Sequence, residues 1–209
     1  MIAVLDERQA RRDLAGSTLR SPVCGGPLRR WGFARVRRLR LRRGGQLQLR
    51  PRRTRCVACG VTHVLLPAAV PARHAYTLEV VGPALLASAQ GGRSCRAIGA
   101  ELALPADTVR GWVRRATGQT ERLRTLGTAA AHAYDPLLPP IEPTGRSALA
   151  DARSALAVAA AAVVRLLGPI APVWHLIAMV ARGQLLAPLR SDWSSCTSRR
   201  SPARPTATT

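Results

Sequence analysis

The stretch from Ser94 to Arg115 constrains the fold most, because two runs of helical spacing flank a short break at Leu104 and Pro105. Apolar residues at three- and four-residue steps predict the buried face of a short helix on each side of that break. The inward-facing residues are Ala97, Ile98 and Leu102 in the first helix, and Val109, Trp112 and Val113 in the second. Pro105 suits the first turn of a helix, where its missing N–H costs nothing. The pattern therefore predicts two short helices joined by a tight turn.

The outward face of the second predicted helix has a small polar tip followed by cations. Its members are Ala106, Asp107, Thr108, Arg110, Gly111, Arg114 and Arg115. Such a face is typical of a helix whose N-terminal end enters the major groove of DNA. The alternative interpretation is an ordinary helical hairpin with a solvated basic face.

The charge of the chain indicates a polyanionic partner. The formal net charge is +21, and all 32 basic residues are arginine. Double-stranded DNA, RNA and an anionic membrane surface are all attracted by such a charge. Aromatic residues make up only 3% of the chain, which argues against single-strand binding on aromatic platforms and favours contacts to a duplex backbone.

Composition divides the N-terminal third into two segments. Residues 1–20 show no clear period and are predicted to be a flexible arm or a frayed helix. Residues 21–67 form a first unit, in which leucines alternate with polar residues on both sides of Gly44 and Gly45 and predict a β-hairpin. Residues 68–75 are interpreted as a linker.

The rest of the chain is predicted to be mainly helical. Residues 76–117 form a second unit of three helices, of which the first is capped by Thr77. Residues 118–187 are helical apart from a proline-rich break at 134–145. Two further interruptions, at Gly168-Pro169 and at Pro172, leave the Ala-rich run too short for a membrane span. Residues 188–209 are predicted to be a disordered tail.

Three cysteines have the spacing of metal knuckles. Cys56 and Cys59 are two residues apart and precede a glycine, and Cys24 precedes a further glycine pair upstream. Serine stands at position 21, where a second knuckle would place its first cysteine. We expect a structural zinc ion on Cys24, Cys56 and Cys59, with His63 or water as the fourth ligand. The alternative is a ribbon that has lost its metal and depends on packing.

A run of cations lies between the two knuckles. Twelve arginines occur from Arg29 to Arg55, and no acidic residue occurs between Asp13 and Glu79. On the strands of a hairpin such arginines predict a phosphate-contacting face, although a solvated strand surface would look similar. The candidate phosphate contacts are Arg37, Arg38, Arg40, Arg52 and Arg53.

Three segments together resemble a known type of protein: Ser21 to Gly26, Arg55 to His63, and Arg96 to Arg115. They are similar to the N-terminal region of bacterial insertion-sequence transposases, and in particular to uncharacterised transposase-like proteins with a zinc ribbon and a helix-turn-helix. The resemblance covers roughly residues 20–120, and more loosely the helical part to about 188. It implies binding to the ends of a mobile element or to a promoter-like site, in the course of DNA recombination or regulation. It also implies Cys24, Cys56 and Cys59 as metal ligands, while Ser21 departs from the pattern.

The fold class expected is mostly α. It has a small N-terminal zinc-ribbon-like hairpin, a helix-turn-helix three-helix unit in the middle, and Ala-rich helices at the C-terminus. A transposase core needs three carboxylates that hold two metal ions, and the eleven acidic residues are scattered. We therefore predict no catalytic activity in this chain.

Three functions are consistent with the sequence. The first is a sequence-specific double-stranded DNA-binding protein associated with a mobile element, cytoplasmic and located at the nucleoid. The second is a helix-turn-helix transcriptional regulator, whose helices within 146–187 form a homodimer or bind a partner protein. The third is a membrane-surface protein whose arginines meet anionic lipid.

Overall fold

A computed structural model describes residues 1–186, and the predicted tail at 188–209 lies outside the described residues. The described residues form a mixed structure of helices and strands. The strands are β1 (Ile2–Val4), β2 (Leu28–Phe33), β3 (Arg37–Arg40), β4 (Gln46–Leu49), β5 (Arg52–Cys56) and β6 (Thr62–Pro67). The helices are α1 (Glu7–Ala15), α2 (Leu78–Ala89), α3 (Cys95–Leu102), α4 (Ala106–Thr117), α5 (Thr120–Tyr134), α6 (Ala148–Leu167) and α7 (Val173–Val180).

The N-terminal sheet has the strand order β1-β6-β5-β2, with β2 at one edge. Strand β1 and helix α1 are part of this unit, so the prediction of a flexible arm is wrong for them, whereas the alternative of a helix agrees with α1. Strand β1 pairs in parallel with β6, with Ile2 opposite Leu65. Helix α1 buries Ala10 and Leu14 in a small core that also holds Leu28 and Leu65. The pairing is long-range in sequence, and no local period reveals it.

The predicted hairpin around Gly44 and Gly45 is confirmed. Strands β3 and β4 are antiparallel and place Leu39 opposite Leu47. Leu39 is fully buried with Leu66 and Val70 in a second small core. The hairpin is therefore a separate two-stranded sheet that packs on the end of the main sheet.

Helices α2, α3 and α4 share one core. Ile98, Val109 and Trp112 are buried in it, as predicted, but Ala97 is exposed and Gly99 is buried instead. The helical phase thus differs from the predicted one in α3, where alanine and glycine are weak indicators of which side is buried. The break before α4 is closed by a hydrogen bond of 2.8 Å from the Leu104 N–H to the Gly99 carbonyl.

The helical C-terminal part follows the predicted interruptions. Helix α5 ends at Tyr134, the proline-rich segment up to Ser147 contains no helix, and α6 and α7 are separated at Gly168–Pro172. Helices α5 and α6 approach each other closely at Gly127, where an added Cβ would lie 2.7 Å from backbone atoms of Ala155 and Leu156.

Among residues 1–186, none of the helices combines the length and the apolar character that crossing a membrane requires.

Candidate metal centre and nucleic-acid interface

The three predicted cysteine ligands lie together at one end of the main sheet. The Sγ atoms of Cys24, Cys56 and Cys59 all lie within 4.8 Å of one another, and those of Cys24 and Cys56 are 3.4 Å apart. Gly26 closes the cluster, because a Cβ there would lie 3.0 Å from the Cys56 Sγ. Three thiolate donors from two turns fit a tetrahedral thiophilic ion such as zinc. The described part of the chain has no other group of three His, Cys, Asp or Glu donors so arranged.

Hydrogen bonds from backbone N–H groups lower the pKa of one of these thiols. A hydrogen bond from the backbone of Cys59, supported by contacts with the other thiols, lowers the pKa of Cys56 to about 7, although burial opposes the shift. The pKa of Cys59 is raised: the backbone donor at Val61 acts downwards, but the neighbouring Cys24 and Cys56 side chains and burial outweigh it. A thiolate at Cys56 is therefore the first ligand available near neutral pH.

His63 does not belong to the cysteine cluster, so its prediction as a metal ligand is corrected. Its Nε2 lies 3.2 Å from the Ser21 Oγ, and both side chains are buried. Burial, together with the positive N-terminus, lowers the pKa of His63, which is neutral at pH 7. The Nε2 atom of His63 therefore has Ser21 as its partner, and His63 is not in the group of close donors formed by the three cysteines.

Ser21 keeps the backbone geometry of a knuckle. Its Oγ accepts a hydrogen bond of 3.3 Å from the Val23 N–H, and its carbonyl accepts one of 2.9 Å from the Gly25 N–H. The turn that would present a cysteine sulfur thus presents a hydroxyl. A hydroxyl stays protonated near neutral pH, so the site offers three strong ligands and one weak position.

The predicted outward face of α4 is exposed at its charged residues. Asp107, Arg110, Arg114 and Arg115 are exposed, whereas Ala106, Thr108 and Gly111 are half-buried. The Asp107 carboxylate accepts a hydrogen bond of 2.5 Å from Arg110 Nη1. Trp112, with 2% of its surface exposed, belongs to the core as predicted.

The hairpin arginines divide into two groups. Arg38 and Arg40 are both exposed on β3, and Arg40 Nη1 also donates a hydrogen bond of 2.9 Å to the Tyr76 hydroxyl. Arg37 is different: its Nη2 donates to the carbonyls of Pro71 and His74 at 3.1 and 2.5 Å. Burial lowers the pKa of Arg37. The prediction that Arg37 contacts phosphate is therefore corrected: its side chain hydrogen-bonds the segment before α2 and stabilises it.

The two arginines predicted on β5 are less exposed than those on β3. Arg52 and Arg53 are both half-buried. The Arg52 guanidinium lies over the ring of Phe33 at 5.0 Å, so an aromatic ring already covers part of its surface.

The hairpin is joined to the helices beside α4. The backbone of Arg40 pairs with the segment 75–77, with hydrogen bonds of 2.6 Å to the Ala75 carbonyl and 3.2 Å from the Thr77 N–H. A cleft of about 570 Å³ lies at this junction. Arg40 and Arg42 line one side of it, and Leu104 and Pro105, the residues directly before α4, line another. Two hairpin cations and the residues just before α4 thus border the same depression, which Glu79 and Glu101 also line.

Sequence reasoning missed two exposed aromatic residues on β2. Trp31 is 50% exposed and Phe33 45% exposed, and arginine guanidinium groups lie over both rings. The signal in the sequence was a pair of aromatic residues, separated by one glycine, directly after Arg29 and Arg30, which a low overall aromatic content concealed.

Residues 21–112 match the model of a family described as a domain of unknown function (DUF6431). The match runs from Ser21, before β2, to Trp112 in α4, and so spans the three cysteines and the helices α2 and α3. No curated protein and no solved structure matches the chain.

Proposed function

We propose that this protein binds double-stranded DNA in a sequence-specific manner, with α3 and α4 acting as a helix-turn-helix. The observation that carries the proposal is the common border of the two basic surfaces. Arg40 of β3 and Arg42 line one cleft together with Pro105, the N-cap of α4, and Arg40 is bonded to the segment that leads into α2. Glu79 and Glu101 line the cleft as well. A duplex bound there meets both surfaces at once.

In this proposal α4 is the recognition helix, which contacts the edges of the bases. Its N-cap is Pro105, and no side chain caps its first turn, so its first N–H groups are free to meet a phosphate. Thr108, Arg110 and Arg114 follow on the outward side and are candidates for base contacts. Arg110 exchanges its bond with Asp107 for a guanine edge on binding.

The exposed hairpin supplies contacts that do not depend on sequence. Arg38 and Arg40 face solvent on a strand, and no acidic residue of residues 14–78 competes for them. Phosphate contacts of this kind set the orientation of a protein on the duplex and give binding its dependence on salt.

Zinc is the metal we propose for the cysteine cluster. Cys24, Cys56 and Cys59 would hold it, and it would supply a structural cross-link rather than a reactive group. The cross-link ties the turn before β2 to the turn between β5 and β6, which are the two ends of the ribbon. Ser21 leaves the fourth position to a hydroxyl or a water molecule.

The resemblance to insertion-sequence transposases implies that the protein is associated with a mobile element. In this proposal the chain has no catalytic core of its own. A transcriptional regulator is a second candidate, favoured by an exposed apolar patch beside the end of α6. The patch consists of Leu166, Leu167, Ile170 and Val173. A homodimer through this patch would give a palindromic footprint with half-sites about one helical turn apart, whereas binding at element ends would give an asymmetric one.

Selection of bound sequences from a random duplex library, followed by binding to the selected site and to a scrambled site, tests the proposal. We expect Arg110→Ala to weaken binding to the selected site by about 1–3 kcal/mol and to the scrambled site much less. Arg122→Ala, an exposed arginine on α5, is the matched control. Equal losses at both sites would remove Arg110 from base reading, and failure of the folded wild-type protein to bind any duplex at low salt would refute the proposal.

A further inference from the structure

Strand β2 is exposed along nearly its whole length. Leu28 is buried, but each of the five residues from Arg29 to Phe33 is exposed. The strand is also the free edge of the main sheet. Single exposed apolar residues are common on protein surfaces, but two aromatic residues in three positions at an open edge form a distinct surface.

Arginines are arranged around both aromatic rings. The Arg55 guanidinium lies 4.7 Å from the centre of the Trp31 ring, and those of Arg50 and Arg52 lie 4.9 and 5.0 Å from the Phe33 ring. Arg55 is held in place by a hydrogen bond of 3.2 Å from its Nε to the Gly60 carbonyl. Each ring is therefore accompanied by at least one cation, and the cation beside Trp31 is anchored to the backbone.

Among the described residues, the arginines of this edge form no ion pair of their own. One carboxylate lies nearby, Glu7 of α1, which lines the same small pocket as Phe33 and is paired with Arg11 at 3.5 Å. Residues 14–78 contain no carboxylate side chain. The ion pairs formed by arginines in the described part of the chain lie elsewhere, on α1 and in the helical region from Arg93 onwards. The charge of the edge is thus available to an anionic partner.

A bulge shapes the edge at this position. Arg30 pairs with Thr54, but Phe33 pairs with Arg52, so the register shifts by one residue. Gly32 has a φ of +81°, a conformation that side-chain-bearing residues rarely adopt, and no atom lies within 4 Å of where its Cβ would be. Bulges re-aim side chains and end regular pairing. Here the bulge leaves both aromatic residues open to solvent with free space between them.

We propose that this edge is a second nucleic-acid site, which binds single-stranded DNA by stacking unpaired bases on Trp31 and Phe33. Exposed rings beside cations are the combination that single-strand binding needs, since bases stack on the rings and arginines meet the backbone. In an intact duplex the base faces are covered by their neighbours, so this surface selects unpaired bases. The proposal does not require α4 and goes beyond duplex binding.

The surroundings of the rings disfavour a protein partner. Guanidinium groups lie over both Trp31 and Phe33. The pocket beside Phe33 has some apolar lining but a volume of only about 40 Å³, so a hydrophobic anchor would find little room there. With α4 on a duplex and β2 on a single strand, the whole protein would favour DNA in which both forms meet.

The test measures binding of three labelled probes by fluorescence anisotropy: a twenty-nucleotide oligo(dT), a blunt duplex, and the duplex with a single-stranded extension. We expect Trp31→Ala to weaken oligo(dT) binding about tenfold and blunt-duplex binding less than twofold, with Phe33→Ala acting in the same direction. Trp31→Phe keeps a ring and should retain most of the affinity. Leu137→Ala removes a 94% exposed apolar side chain from the proline-rich segment and serves as the control.

Two outcomes would overturn the proposal: oligo(dT) binding unchanged in the Trp31→Ala, Phe33→Ala double variant, or equal losses for oligo(dT) and blunt duplex. Far-ultraviolet circular dichroism and thermal unfolding establish that each variant is folded. If Trp31→Ala does not fold, the affinity of Trp31→Phe for oligo(dT) is measured in its place. Arg110→Ala should leave oligo(dT) binding unchanged. Oligo(dT) binding that depends on Trp31, without any duplex binding, would refute the proposed function and support this site.

Discussion

The rings of Tyr76 and Trp112 pack edge to face, with their centroids 5.1 Å apart and their planes at 77°. The hydroxyl of Tyr76 accepts a hydrogen bond of 2.9 Å from Arg40 Nη1, and the Arg40 guanidinium lies 5.5 Å from the centre of the same ring. Tyr76 therefore contacts the hairpin on one side and the core of α4 on the other. The position of the hairpin relative to α4 depends on this ring.

Removing the ring of Tyr76 should loosen that connection. We expect Tyr76→Leu to lower the free energy of unfolding by about 0.5–1.5 kcal/mol beyond the loss of buried area, because the edge-to-face contact is lost. Tyr76→Phe keeps the ring and loses only the exposed hydrogen bond from Arg40, so its effect should be smaller. Urea denaturation followed by circular dichroism measures both, and equal effects of the two variants would contradict this role of the ring.

The exposed hairpin arginines should control the salt dependence of duplex binding. Arg38→Gln together with Arg40→Gln should weaken binding to all duplexes alike and lower the slope of log K against log salt by up to about 2, because two phosphate contacts are lost. Titrations between low and moderate salt give the slope. Arg122→Gln on α5 should leave the slope unchanged, and a slope that is also unchanged in the hairpin variant would remove these arginines from the interface.

Restoring the fourth cysteine should strengthen metal binding. Ser21 already accepts the Val23 N–H as a knuckle sulfur would, so Ser21→Cys adds a thiolate without moving the backbone. We expect zinc affinity, measured by competition with a chromogenic chelator, to rise at least tenfold. Ser88→Cys on α2 controls for an added thiol. No gain in affinity would show that the position of Ser21 is not a ligand position.

The low pKa of Cys56 predicts how the stability of the metal-free protein changes with pH. Its folded pKa of about 7 lies below the ordinary value of 9.0, since backbone N–H donors favour the thiolate. The resulting stabilisation is complete above pH 9 and is lost as the pH falls through 7. In chelator-treated, reduced protein, the difference in unfolding free energy between wild type and Cys56→Ser should therefore grow from pH 7 to pH 9. A difference that is constant over this range would contradict the shift.

Close helix packing predicts a specific sensitivity at Gly127. Gly127→Ala places a Cβ 2.7 Å from backbone atoms of α6, which cannot move aside as a side chain would. We expect a loss of about 1–3 kcal/mol in unfolding free energy. Gly111→Ala on α4 is the control, because its Cβ would meet only the flexible end of Arg115 at 3.3 Å. We expect Gly111→Ala to raise the free energy of unfolding by up to about 1 kcal/mol, because alanine has the higher helix propensity. A comparable loss of unfolding free energy in both variants would argue against tight packing of α5 on α6.

Local patterns in the sequence determined the elements that depend on neighbouring residues. The alternating leucines around Gly44 and Gly45 specify the hairpin, and the period of Val109 and Trp112 specifies the buried side of α4. The spacing of Cys56 and Cys59 specified that these two thiols meet, because a two-residue separation within one turn already places both sulfurs on the same side. These features require no knowledge of distant contacts.

Tertiary structure decided what depends on residues far apart in the chain. It placed β1 in the sheet through β6, gave His63 Ser21 as its partner instead of a place in the cysteine cluster, and committed Arg37 to the carbonyls of Pro71 and His74. It also exposed Trp31 and Phe33 at an open sheet edge with arginines of other segments over their rings. The physical reason is that burial and hydrogen-bond partners come from non-local packing, whereas periodicity records only the local conformation of the backbone.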